Sequence, residues 1–167
     1  KYVYSHFGYN LKATDMQAAI GCAQLVKFPT FVERRRHNFD RLKAAIKDLE
    51  GYFILPEPCE NANPSWFGFL LTCREGVDRN QIVSYLEYIE KNNIQTRMLF
   101  AGNLVKHPCF DEMRQTGDGY RVVGELNNTD RIMKDTFWIG VYPGMSDEMI
   151  DVMATALKEA CGKGNKE

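Results

Sequence analysis

The residues best equipped for chemistry fall at two places in the chain. The first is Gly8-Tyr9-Asn10, just ahead of the helix that Thr14-Asp15-Met16-Gln17 opens. The Asn10 amide can donate to a phosphate oxygen, and a nearby helix N-terminus favours an anion. The alternative for Asn10 is a turn asparagine bonded to its own backbone. Tyr9 suits either the wall of a site or an interface. His6 is a candidate acid, base or ligand contact, although a lone histidine beside aromatic residues is more often structural. The second place is Arg97, at the end of an apolar strand and the mouth of a long loop. Its planar fork of donors matches a diphosphate or a carboxylate; a structural ion pair is the rival reading. His37 and His107 carry no argument for a site.

The elements that must position these groups follow from periodicity and punctuation. Thr14-Asp15-Met16-Gln17 has the form of a capping box and predicts a helix over 15–27. Met16, Ala19, Ile20 and Ala23 fall on one side of it, and Ala18, Cys22, Leu25 and Val26 on the other. A helix apolar nearly all round is buried on both sides, so this one is expected to pack on another domain or subunit. Pro29 reads as the start of a second helix reaching Glu50, with Phe39, Leu42, Ile46 and Leu49 inward and Gly51 as its stop. Residues 52–64 read as a connector. Strands are predicted over 66–73, 94–99 and 137–141. Helices are predicted over 79–91 (capped by Asp78), 120–126, 130–135 and 147–161 (capped by Ser146). Residues 100–119 form an irregular stretch of a length that is usually functional or mobile. The predicted fold is α+β, a small three-stranded sheet covered by helices, with an N-terminal interface helix.

Composition narrows the function classes. The 167 residues are 44% hydrophobic and 12% aromatic, enough for a folded core. Twenty-one basic residues against 22 acidic ones give a net charge of −1, which offers no electrostatic basis for binding nucleic acid or an anionic membrane. Arg34-Arg35-Arg36 is the densest basic run. Successive helical residues point about 100° apart, so the run reads as a solvated helix face. No apolar stretch is long enough for a membrane span. The five cysteines are scattered, without a CxxC pair. That argues against a disulfide framework or a self-contained metal site and makes the cytoplasm the expected compartment. The chain opens at Lys1 with no initiator methionine and no signal-peptide pattern, and reads as the interior of a longer polypeptide.

Three segments carry a resemblance. Phe7-Gly8-Tyr9-Asn10-Leu11-Lys12-Ala13-Thr14-Asp15-Met16-Gln17-Ala18-Ala19 resembles the G-Y-N-x-x-x-[ST]-D-[IM]-Q-A-A segment of the sugar aminotransferase/dehydrase family, a branch of the fold-type I vitamin-B6 enzymes. Ile94-Gln95-Thr96-Arg97 resembles that family's G-I-[EQ]-T-R strand, and Val141-Tyr142-Pro143-Gly144-Met145-Ser146-Asp147-Glu148 its Y-P-G-[LM]-[ST]-D-E signature. Within the family, Tyr2-Val3-Tyr4-Ser5-His6, the run Met98-Leu99-Phe100-Ala101-Gly102-Asn103-Leu104 and Thr136-Phe137-Trp138-Ile139-Gly140 are most similar to the CDP-4-keto-6-deoxyglucose-3-dehydrases.

The resemblance implies the C-terminal domain of the type I pyridoxal-phosphate transferase fold. Residues 1–28 would end the large cofactor domain and line a dimer interface, 29–162 would form the small domain, and 163–167 a frayed tail. It implies pyridoxamine or pyridoxal phosphate as cofactor, a CDP-sugar substrate that loses its C3 hydroxyl, a homodimer, and a flavin/iron–sulfur reductase as electron donor. Asn10 would reach the cofactor phosphate of the other subunit. Tyr9, His6, Arg97, Phe100 and Asn103 would contact the substrate, Phe100 by stacking on a cytosine or sugar face and Asn103 by bonding a hydroxyl. The catalytic base and the ligands of a [2Fe–2S] cluster would lie upstream, leaving this chain inactive by itself. The alternatives are a pyridoxal-dependent sugar aminotransferase and, from another class, a non-catalytic α+β binding module.

Overall fold

In the computed structural model, residues 6, 8–9, 11–77 and 79–163 are described, the side chains of Arg79 and Lys163 excepted. The first helix, α1 (Asp15–Ala45), begins at the capping box: Thr14 accepts from the Gln17 amide and Gln17 reaches back to the Thr14 amide. The two helices predicted on either side of Pro29 are one. Pro29 sits inside α1, where it removes one helical hydrogen bond. Every residue from 11 to 31 is exposed, so solvent reaches the carbonyl freed by the proline and the helix continues. The second half of α1 buries Asn38, Phe39 and Leu42, and a 3₁₀ turn over Lys47–Gly51 ends the segment.

The sheet has four strands rather than the three predicted: β1 (Phe53–Ile54), β2 (Gly68–Cys73), β3 (Thr96–Met98) and β4 (Thr136–Gly140), all antiparallel in the order β1-β2-β4-β3. The extra strand lies in the predicted connector. Two residues carry no readable alternation, and only pairing with Thr72 and Cys73 makes them a strand. Alternation in β2 and β4 turns Phe69, Leu71, Cys73, Phe137 and Ile139 into the core. They meet Phe39, Leu42 and Ile46, Ile82, Tyr85 and Ile89 of α2 (Arg79–Lys91), and Ile150 and Leu157 of α5 (Asp147–Lys163). Asp78, the predicted cap of α2, lies outside the described residues.

Between β3 and β4 run two 3₁₀ turns (Leu104–Lys106 and Pro108–Phe110), α3 (Asp111–Thr116) and α4 (Asn127–Asp135). No helix forms over 120–126, contrary to prediction. Two β-branched valines followed by glycine make that segment a weak helix former, and Val123 points into solvent.

Arg34, Arg35 and Arg36 do not form a solvated face. Arg34 donates to the Met145 carbonyl and to Asp147, Arg35 to the Trp66 and Val141 carbonyls, and Arg36 to the Pro64 and Asn63 carbonyls. The guanidinium forks fan around α1, as the helical spacing requires, but each finds loop carbonyls that need a donor. They fasten α1 to the loops at one end of the sheet.

Candidate functional site

Register places Leu70, Trp138 and Arg97 in one row across β2, β4 and β3. Because their neighbours along each strand face the core, this row lies on the opposite face of the sheet. Arg97 is exposed, and its side chain makes no hydrogen bond or ion pair to any described residue. A guanidinium so placed has its five donors available to a ligand.

Around Arg97 the sheet face is aromatic. Trp138 lies over Gly68, where an added Cβ would stand 2.7 Å from its ring; only glycine lets the indole settle flat on β2. Phe67 tilts against Trp138 at 5.0 Å and Phe100 at 6.2 Å between ring centroids. Both phenylalanines are mostly exposed, Phe67 at 64% and Phe100 at 75%, while the Trp138 indole N–H is buried without a partner among the described residues. Flat apolar rings beside a free guanidinium can stack on a planar or sugar face and hold an anion. A cleft of about 520 Å³, lined by Ile94, Arg97, Trp138, Tyr142, Met149 and Met153 among others, opens from the same edge. That volume lies in the range of small-molecule sites.

The loop after β3 is tightly made. Leu99 donates to the Thr136 carbonyl, and Phe100 takes φ +46° with its N–H on the Met98 carbonyl at 2.7 Å. A bulky residue in the left-handed region is held there only by its surroundings. Gly102, at φ +62°, has no room for a side chain: a Cβ would lie 2.7 Å from that of Met133. Asn103 is 2% exposed and its amide nitrogen donates to Asp130 at 2.8 Å. It therefore lies beneath the loop rather than on the rim where a substrate contact was expected. Lys106 also reaches Asp130, at 2.6 Å. These two donors, Lys106 first and then Asn103, hold the Asp130 carboxyl below its ordinary range.

The structure brings together Arg97 and Phe100 from the predicted set and adds Phe67 and Trp138. For Trp138 the signal was present in the sequence: alternation in Thr136–Gly140 sets it on the face opposite to Phe137 and Ile139; Phe67, just before β2, has no such signal. His6 and Tyr9 are exposed, Tyr9 at 92%, and neither lines the Arg97 cleft. Asn10 lies outside the described residues. The groups gathered on this face are a guanidinium and aromatic rings, so the chemistry they support is binding and orientation.

Comparison with known proteins shows the family. The sequence pattern of the DegT/DnrJ/EryC1/StrS aminotransferase family matches residues 1–158. The chain is 49% identical over 164 residues to the lipopolysaccharide biosynthesis protein RfbH of Salmonella typhimurium, covering 97% of this chain and 36% of that protein. It is 42% identical over 167 residues to a dTDP-4-dehydro-2,6-dideoxy-D-glucose 3-dehydratase of Saccharopolyspora spinosa, covering 99% and 34%. A crystal structure of GDP-4-keto-6-deoxymannose-3-dehydratase with a trapped PLP–glutamate geminal diamine superposes with a TM-score of 0.74 at 27% identity, over 93% of this chain and 38% of that one. The chain thus spans about a third of the length of these relatives. With a match that runs from Lys1 to Lys158, it belongs to the DegT/DnrJ/EryC1/StrS aminotransferase family.

Proposed function

We propose that this chain forms the C-terminal part of a nucleotide-sugar 3-dehydratase that uses pyridoxamine or pyridoxal phosphate. Its substrate is a CDP-4-keto-6-deoxyhexose, which loses the C3 hydroxyl in the making of a lipopolysaccharide deoxysugar. The observation that carries this reading is Arg97, free on the outer sheet face beside the Phe67–Trp138–Phe100 patch. Arg97 binds the diphosphate and Phe100 stacks on the cytosine or sugar face. The 3-dehydratases among its relatives support the reaction class.

Bound cofactor supplies the electron sink for carbon–oxygen cleavage. This chain's part is to hold the cofactor phosphate through Asn10 of a second copy and to border the substrate with Tyr9 and His6. The base, and the ligands of a [2Fe–2S] cluster fed by a flavin/iron–sulfur reductase, come from outside it. Exposure of the whole apolar stretch from Met16 to Phe28 supports a homodimer or a large-domain contact. Among the described residues no helix is long and apolar enough to cross a membrane.

The test is product analysis of the holoenzyme given CDP-, GDP- and dTDP-linked 4-keto-6-deoxyhexoses, with an electron donor or with glutamate. The expected result is a 3-deoxy product from the CDP sugar. A 4-amino sugar formed with glutamate would instead establish the aminotransferase alternative.

A further inference from the structure

One acidic residue outside the Arg97 face controls the loop that borders it. Asp130 and Met133 stand one turn apart on α4 and so share a face of that helix. Met133 closes against Gly102, and Asp130 takes the Asn103 amide on one carboxylate oxygen and the Lys106 ammonium on the other. Asn103 and Lys106 are also the two ends of a single turn, joined by the Lys106 N–H to Asn103 carbonyl bond at 3.1 Å. The loop is therefore gripped at both ends of that turn by a single carboxylate. Three residues before Asn103, Phe100 holds its left-handed backbone and stands over Trp138. Nothing else described bonds the Asn103 side chain. Without the carboxylate the amide would be left buried and unpaired, which the loop can relieve only by moving.

We propose that Asp130 is a positioning residue for the nucleotide-sugar site: through Asn103 and Lys106 it fixes the loop that presents Phe100 beside Trp138 and Arg97. This rests on the reading that Arg97 and Phe100 meet the substrate. Asp130 touches no ligand; its effect passes through Phe100.

Two measurements test it. In this chain, amide hydrogen exchange at Lys106 and His107 should quicken about tenfold in Asp130→Ala and less in Asp130→Asn, which keeps an acceptor for Asn103. Unchanged exchange would overturn the clamp. In the holoenzyme, Asp130→Ala should raise KM for the 4-keto-6-deoxy nucleotide sugar about tenfold with kcat within about twofold, and Asp130→Asn should recover part of that. The double variant Asp130→Ala/Phe100→Ala should be no worse than Phe100→Ala alone, because both remove the same contact. Additive losses, or a lower melting point with unchanged KM, would reduce Asp130 to a structural role and overturn the proposal. If Phe100→Ala and Arg97→Ala also leave KM unchanged, the substrate reading of this face fails with it. If those two raise KM while Asp130→Ala does not, only the proposal fails.

Discussion

The Arg34 guanidinium lies 2.8 Å from the Asp147 carboxylate, 113 residues away along the chain. Asp147 also accepts from His37 at 3.1 Å and faces Arg41 at 3.6 Å, while Arg41 grips both oxygens of Asp151 at 2.8 Å. This network ties the middle of α1 to the first turns of α5. Bonding from His37, then Arg34, holds the Asp147 carboxyl below its ordinary value.

That depression has a direction in pH. A folded carboxyl pKa below the unfolded one (about 3.9 for aspartate) contributes stability that is present above the unfolded value and lost as pH falls through the folded one. Asp147→Asn is therefore expected to melt below wild type at pH 7 and to converge with it in strong acid. Melting curves of both proteins from pH 7 to pH 2 check this; a gap that persists in acid would show that the charge is not the cause.

Asn38 is fully buried on α1 and donates to the Tyr142 carbonyl at 2.8 Å. Asn38→Ala leaves that carbonyl without its side-chain partner and should cost about 1–3 kcal/mol. Urea unfolding reads it directly. A loss below about half a kcal/mol would mean that the Met145 amide, already on that carbonyl at 3.3 Å, satisfies it alone.

The exposed half of α1 carries Met16, Ile20, Leu25, Val26 and Phe28, and burying each larger side chain is worth about 1.5–3 kcal/mol. We predict concentration-dependent self-association of this chain, abolished by Ile20→Glu/Leu25→Glu without change in melting temperature. Sedimentation across a hundredfold concentration range decides; a wild-type monomer throughout would remove the interface reading.

Isolated, the chain is expected to show neither dehydratase nor aminotransferase activity and to hold pyridoxamine phosphate weakly, since it spans only about a third of the length of its relatives. A saturable cofactor absorption band at micromolar concentrations would contradict this.

In the holoenzyme, Asn10→Ala should weaken cofactor retention about tenfold to a hundredfold, the cost of one hydrogen bond to a charged group. Arg97→Ala should leave cofactor bound and raise KM for the nucleotide sugar with kcat little changed, as uniform binding requires. Cofactor titration followed by steady-state kinetics separates the two roles. Arg97 has no ion-pair partner among the described residues, so loss of fold in Arg97→Ala is not expected.

By itself the sequence determined those features that depend on neighbours along the chain. The Thr14–Gln17 capping box, the apolar runs of β2 and β4 and the start of α5 were legible, because capping and composition act over a few residues; of the stripe expected inward on α2 (Ile82, Val83, Leu86 and Ile89), Val83 is exposed and Tyr85 is buried instead. The family segments placed Arg97 and Phe100 on one short stretch. Tertiary structure alone decided the rest. Pro29 passes through α1 because solvent reaches the carbonyl it frees, and Phe53–Ile54 is a strand only by pairing with β2. Arg34, Arg35 and Arg36 are fasteners because carbonyls some 30 to 110 residues away converge on them. Asn103 is buried for the same kind of reason. Its partner Asp130 lies 27 residues further on, and a hydrogen bond between groups so far apart in sequence has no local signature.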